Sequence, residues 1–357
     1  MTTEQPPRDF GESAGREQPF PRSGPDRQDT LAPAARGRVA AVIPVFAASF
    51  LAQALQSVMR QTRLPDEIIV VDDGSPNRAD VVSTVASFGN RVTLIEQPNL
   101  GAAAARNRGM AATNAEFVAL LDADDEWFPT FLEEQLAALA LQPDLDLVYC
   151  DGLITGQTGL AGQRFMQSCP SIGPVTLESL LAQRCTVLLS GVVMRRHAAI
   201  DIGGFDLAIR RGQDFDLWLR MAYHGSRMAY TTQPLVLRRV HDNNLSGTSI
   251  NEQERPLSVL EKTIETLQLS PAQRTIAQER IRHLRSTLAR EHGKEFLRKG
   301  DYMSARREFL RARRGGFSWK ISAALLGLRV APHLMRRLYL LRVTALISHL
   351  TPARQAP

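Results

Sequence analysis

Asp122-Ala-Asp124-Asp125 places three carboxylates directly after the apolar run Phe117-Val-Ala-Leu-Leu121. Hard oxygen ligands in that arrangement suit Mg2+ or Mn2+, and a divalent ion held there can bridge the protein to a diphosphate. Carboxylates at alternate positions are also common in solvated turns; the strand-like run before them is what favours a site. A second acidic pair, Asp72-Asp73, precedes Gly74-Ser75 and follows Glu67-Ile-Ile-Val-Val. One of these aspartates can cap the next helix, since Asp and Ser are good N-caps and Gly favours turns. The other then remains to accept a hydrogen bond from a base N–H or a ribose hydroxyl, as a nucleotide pocket requires.

Three further groups carry chemical potential. In Asn99-Leu-Gly-Ala-Ala-Ala-Ala-Arg106-Asn-Arg-Gly109 the glycines are eight apart, which is not the dinucleotide-binding fingerprint, and no Walker-type loop occurs. A helix N-terminus near Gly101 and the cation of Arg106 can face an anionic ligand, or the stretch is an Ala-rich packed helix with surface arginines. Gln213-Asp-Phe-Asp-Leu-Trp-Leu-Arg220 sets Asp214 and Asp216 at a helix start. Either favours the helix dipole, or one is the general base for an incoming hydroxyl. His241 follows the strand-like Leu235–Val240 and is a metal ligand, a phosphate ligand or a structural histidine.

These groups need elements to bring them together. Val39–Val45 and Glu67–Asp72 have strand length and character, and helical spacing of Phe50, Leu51, Ala54, Leu55, Val58 and Met59 separates them. A helix near 78–88, a strand over 91–96, a helix over 102–112 and a strand over 116–121 follow. The alternation predicts an α/β fold with a mostly parallel central sheet, whose ligands gather at the carboxyl ends of the strands. Both acidic clusters lie at such ends. Beyond about residue 252 the pattern is helical throughout. Gly293, Phe296, Gly300, Asp301, Ala305 and Phe309 have the spacing of one helical hairpin, and from Phe317 to Leu350 apolar residues alternate with arginines as in amphipathic helices on a surface.

Composition sets bounds. The chain of 357 residues is 44% hydrophobic, enough for a catalytic domain plus an appendage. We divide it into a disordered tail over 1–37, a catalytic domain over 38–250 with halves meeting near 125, and a basic helical appendage over 251–357. Residues 1–254 hold 22 Lys+Arg against 30 Asp+Glu, a balance of −8, whereas residues 255–357 hold 21 against 7, a balance of +14. The net charge of +6 therefore hides a basic C-terminal part that suits an anionic surface. Aliphatic rather than aromatic residues interleave its cations, which argues against nucleic acid. Three cysteines without metal-ligand spacing fit a reducing, cytoplasmic setting. No uncharged apolar run reaches the ~18 residues of a spanning helix, so the expected location is cytoplasmic, peripheral on the inner face of the membrane.

Val42-Ile-Pro-Val, Val70-Val-Asp-Asp-Gly-Ser, Asn99-x-Gly with Ala105-Arg-Asn-x-Gly109, Leu121-Asp-Ala-Asp-Asp125, Gly203-Gly-Phe-Asp206 and Gln213-Asp-x-Asp-Leu-Trp-Leu-Arg220 together resemble the family 2 glycosyltransferases. The order and spacing match over residues 39 to about 247. The resemblance implies a GT-A fold, a nucleotide-diphosphate sugar donor, taken as a UDP-sugar, Mn2+ or Mg2+ as cofactor, and inversion at the anomeric carbon. It implies that Pro44 and Asp73 line the nucleoside pocket, that Asp122 approaches ribose and metal, and that Asp124 binds the metal. It assigns Asp214 as base, Gly203, Gly204 and Phe205 as the acceptor-side loop, and His241 as a ligand of diphosphate or metal. Trp218 and Arg220 support the helix on the acceptor side. Phe46-Ala47 stands where the family usually has Tyr-Asn, and Gln213 where it commonly has Glu, which leaves the donor's identity open. The acceptor would be a lipid-linked or growing surface glycan. The rival readings are a sugar-nucleotide nucleotidyltransferase, which lacks its glycine-rich basic loop here, a phosphatase, which leaves the second acidic cluster unexplained, and a silent membrane scaffold.

Overall fold

A computed structural model describes residues 37–156, 158–241, 249–316 and 318–350; side chains at 48, 249–252 and 342–350 are not described. The expected N-terminal tail, apart from Gly37, and Asp242–Ser246 of the His241 segment lie outside those residues. The first half runs β1 (Val39–Val45), α1 (Leu51–Met59), β2 (Glu67–Asp73), α2 (Arg78–Ala86), β3 (Val92–Gln97), α3 (Ala102–Ala111) and β4 (Phe117–Leu120). These strands and helices match the sequence expectation to within about two residues. Then come β5 (Glu126–Trp127), α4 (Phe131–Leu141), β6 (Leu147–Gly156), α5 (Phe165–Ser168), α6 (Leu177–Leu181), β7 (Val192–Arg195), α7 (Arg196–Ile200), α8 (Gln213–Tyr223) and β8 (Met228–Val240). Five helices follow: α9 (Ser249–Thr266), α10 (Pro271–Lys299), α11 (Tyr302–Arg313), α12 (Trp319–Val330) and α13 (Pro332–Leu350).

The strands form one eight-stranded sheet in the order β3-β2-β1-β4-β7-β6-β8-β5. Strands β1 to β4 are mutually parallel, as is β6 with β8, whereas β7 runs antiparallel to both its neighbours and β5 to β8. β1 lies between β2 and β4 and is covered on both faces, which explains its near-continuous apolar sequence. Val42 O accepts from Leu121 N, so the side of β1 that carries Val42 and Pro44 addresses β4. β4 ends its pairing at Leu120 opposite Val42, so the amide that Pro44 lacks has no rung to make.

Strand β8 is longer than the expected Leu235–Val240, and β6 and β7 had no counterpart in the sequence reading. The reason is local irregularity: β6 slips register against β8 on either side of Asp151, a buried carboxylate that accepts the amides of Gly152 and Met166. Such a segment shows neither clean alternation nor a clean apolar run.

The apolar cores are divided elsewhere than at residue 250. Val259 and Leu260 of α9 and Ala277, Ile281 and Leu284 of α10 belong to the same cluster as Leu217, Trp218 and Met221 of α8. A second cluster gathers Ala289 and Leu297 of α10 with Ala305 and Phe309 of α11 and Ile321, Ala324 and Leu328 of α12. Gly293 packs under Phe309 within it, so the expected hairpin is formed by α10 and α11. Among the described residues no helix is long and apolar enough to cross a membrane.

α3 lies on β1 at closest approach through Gly109, where an added Cβ would meet Val42 Cγ1 at 2.4 Å. Gly109→Ala is therefore expected to destabilise the fold by about 1–3 kcal/mol through overpacking, read as a lower urea midpoint. An unchanged midpoint would show that α3 can lift from β1 without loss.

Candidate active site

Asp72 and Asp73 end β2 facing different partners. Asp73 accepts from Gln97 Nε2 and from the amides of Leu100 and Gly101, each at 2.8 Å. Its carboxylate thus fixes the loop from which α3 starts, and both Asp73 and Gln97 are buried. Asp72 accepts from the amide and hydroxyl of Ser75, closing the turn after β2. It does not cap α2, whose N-cap is Asn77 without a side-chain bond. Pro44 lies beside this corner, half-buried one residue before the end of β1.

The second cluster sits past β4. One ligand atom each from Asp122, Asp124 and Asp125 can lie within 4.8 Å of the others. Asp125 is buried, and both its oxygens are engaged: Ser190 Oγ donates at 2.6 Å and Arg239 N at 2.8 Å. Burial and the charges of Asp124 and Asp122 push its carboxyl up to about 8. Burial, then the Asp122 charge, also raises Asp124. From the far end of β8, His241 brings Nε2 to 3.0 Å from Asp124 Oδ2. Asp122 and Asp124, both half-buried, and the buried Asp125 form an oxygen donor set that could hold Mn2+ or Mg2+, with His241 Nε2 beside Asp124. The raised carboxyl of Asp124 fits such a cation, whose charge relieves the repulsion that burial makes severe.

The motif Arg106-Asn107-x-Gly109 joins this cluster to the loop of Gly203, Gly204 and Phe205. Arg106 is 5% exposed, donates from Nη2 to Asp122 Oδ1 at 2.6 Å, and stacks its guanidinium 5.5 Å from the centre of the Phe205 ring. Its Nε and Nη1 are buried with no hydrogen-bond partner among the described residues. Asn107 clamps Phe205 by both backbone groups, accepting its N–H at 2.8 Å and donating to its C=O at 2.7 Å. Gly204 has φ +65°, and a Cβ there would stand 2.5 Å from Asn107 Oδ1, so glycine is required on both counts. Phe205 and Trp218 are buried and meet edge to face at 6.4 Å; they support the loop from beneath rather than facing solvent.

Helix α8 is tied to the same loop. Arg220 donates to Ile202 O, to Gly204 O at 2.6 Å and to Asp216 Oδ2 at 2.7 Å. Lys262 of α9 reaches Asp216 Oδ1 and Asp206 Oδ2, both at 2.6 Å. Of the two carboxylates in the first turn of α8, Asp216 is thus consumed by structure. Asp214 is half-buried, and among the described residues no hydrogen bond or ion pair ties it down. Sequence reasoning missed Lys262, Ser190 and the clamp of Asn107. Asn107 stood inside a quoted motif without a role, whereas Ser190 and Lys262 carry no local signature.

Residues 40–171 match the sequence profile described as Glycosyl transferase family 2. A relative from Rickettsia typhi, the uncharacterized glycosyltransferase RT0329, is 28% identical over 236 residues, 64% of this chain and 70% of that protein. Among solved structures, the mannosyltransferase PcManGT from Pyrobaculum calidifontis, in complex with GDP-Man and Mn2+, superposes with a TM-score of 0.56 at 18% identity over 92% of each chain. Staphylococcus aureus TarS 1-349 in complex with UDP-GlcNAc superposes with a TM-score of 0.55 at 16% identity, covering 85% of this chain and 90% of that one.

Two measurements test the geometry. Lys262→Met, which keeps the stem and removes the charge, is expected to destabilise the fold by about 1–3 kcal/mol, below the fully buried range because the lysine is part exposed; Lys262→Arg should recover most of it in thermal unfolding. Without divalent ions, the stability of the chain relative to Asp125→Asn should fall as pH rises from the ordinary carboxyl value of 3.8 towards 8. Across that window the folded carboxyl keeps a proton that the unfolded one has lost, and the slope is at most about 1.4 kcal/mol per unit. A difference independent of pH would mean that Asp125 is ionised in the fold throughout.

Proposed function

The chain belongs to the family 2 glycosyltransferases and has their GT-A fold, and from that premise we propose that it inverts the anomeric centre of a UDP-sugar in one displacement with Asp214 as base. The observation that carries the reading is the division of labour in the first turn of α8: Asp216 is locked by Arg220 and Lys262, and among the described residues Asp214 is left unengaged. A carboxylate held on a rigid helix but not neutralised by a partner is what a general base requires.

Pro44 and the β2 corner at Asp72 and Asp73 receive the nucleoside. The Asp73 carboxylate already accepts three bonds, so Oδ2, which accepts only one of them, is the oxygen with room for a base N–H. Asp122 meets the ribose, and Arg106, buried with Nε and Nη1 unspent among the described residues, holds the neighbouring anionic charge. Mn2+ or Mg2+ bound by Asp122, Asp124 and His241 would supply the positive charge that stabilises the departing diphosphate. The loop of Gly203, Gly204 and Phe205 and the turn bearing Asp214 border the acceptor, whose hydroxyl loses its proton to Asp214 as it attacks the face opposite the diphosphate. An α-linked donor thus gives a β-linked product. PcManGT with GDP-Man and TarS with UDP-GlcNAc support a nucleotide-diphosphate sugar as donor class. The acceptor in this reading is a lipid-linked or growing surface glycan, met by a cytoplasmic enzyme on the inner face of the membrane; nucleic acid has no part in it.

The test is nucleotide release and transfer across UDP-, GDP- and dTDP-sugars, with Mn2+ or EDTA. Asp214→Asn is expected to lower kcat by about 10²- to 10⁴-fold with little change in donor KM. Asp124→Ala is expected to abolish the response to Mn2+. Turnover that survives EDTA unchanged would overturn the metal's role, and full activity in Asp214→Asn would overturn the base.

A further inference from the structure

Helices α12 and α13 each carry two apolar stripes, and only one is used. On α12, Ile321, Ala324 and Leu328 are buried in the second core cluster. Trp319, Ala323, Leu326 and Val330, at spacings of four, three and four, lie exposed on another face of the same helix. On α13, Leu334, Leu338 and Leu341 repeat the pattern at four and three, also exposed. Packing of the domain core explains the first stripe and leaves the second without a partner among the described residues. Lys320, Arg329 and Arg337 are exposed beside these stripes. From Phe309 to Pro357 the chain contains nine Lys and Arg and neither Asp nor Glu.

We propose that the outer face of α12 and α13 is a docking surface for a bilayer containing anionic lipid. The charge selects the occupant. A second copy of this chain would bring two acid-free cationic faces together, whereas anionic headgroups complement them. The apolar stripes enter the boundary between headgroups and acyl chains while the flanking cations extend to the phosphates. Neither helix is long and apolar enough to cross, so both lie in the plane. Trp319, with Lys320 Nζ 5.9 Å from its ring centre, is the aromatic that would sit at that boundary. This surface is separate from the transferase residues, and its test needs no turnover.

Trp127 and Trp218 are 4% and 1% exposed and Trp319 is 68% exposed, so a change in tryptophan emission on binding reports Trp319. The full chain is mixed with vesicles of phosphatidylcholine alone or with phosphatidylglycerol, and flotation and emission are read. Expected are flotation with the anionic vesicles only, a blue shift, and release by salt. Lys320→Glu with Arg329→Glu and Arg337→Glu should weaken binding by about a hundredfold or more. Leu326→Ser with Leu334→Ser and Leu338→Ser should remove the blue shift, and neither triple variant should change sugar-nucleotide hydrolysis measured without vesicles. No flotation with anionic vesicles overturns the proposal. So does flotation without a shift in Trp319, equal binding to neutral vesicles, a dimer that the leucine variant dissolves, or tighter binding to a nucleic acid duplex than to vesicles.

Discussion

Three carboxylates drawn within 4.8 Å at the end of a buried strand repel one another, and the repulsion grows as water is excluded. A proton retained on Asp125 and the groups around the site offset that repulsion. Ser190 and the Arg239 amide hold Asp125, Arg106 answers Asp122, and His241 answers Asp124. These partners come from a helix, a loop and the last strand, so gathering them settles how α3, the segment before β7, and β8 stand around β4. A cluster so arranged could hold a divalent cation, whose charge would satisfy several carboxylates together.

The same economy of groups continues towards the loop of Gly203 to Phe205 and helix α8. Arg106 faces Asp122 on one side and the Phe205 ring on the other, and its neighbour Asn107 grips the Phe205 backbone. Arg220 then carries the connection from Gly204 to Asp216, and Lys262 from Asp216 into α9. Each link is short and charge-assisted or bidentate, so displacement of one member is felt by the next. A helix that sequence alone assigned to an appendage is therefore part of what holds the turn of Asp214 in place.

Much of the half that carries the acidic clusters was legible because local sequence decides it. The apolar runs of β1, β2 and β4 terminate in acidic turns, and the alternation with helices leaves little freedom in how such strands are ordered. His241 was legible only as a candidate: its approach to Asp124 spans 117 positions and depends on the register of β8. Lys262 as a partner of Asp216 and Ser190 as a partner of Asp125 were not legible, because a lysine or serine that completes a buried network looks locally like any other. Asp72 and Asp73 look alike in the sequence but diverge in the fold, since successive side chains of a strand point to opposite faces.

Helix α10 has one property that bears on the whole molecule. It is 29 residues long, about 43 Å at the rise of an α-helix, with proline only at its first position. Its first half is embedded in the core behind α8 and its second half in the core beneath α12. An uninterrupted helix shared by two cores is a strut without a hinge. The outer face of α12 and α13 and the strand ends that carry the acidic clusters are therefore held by one continuous helix, and the angle and height between them are set by packing and not by a linker.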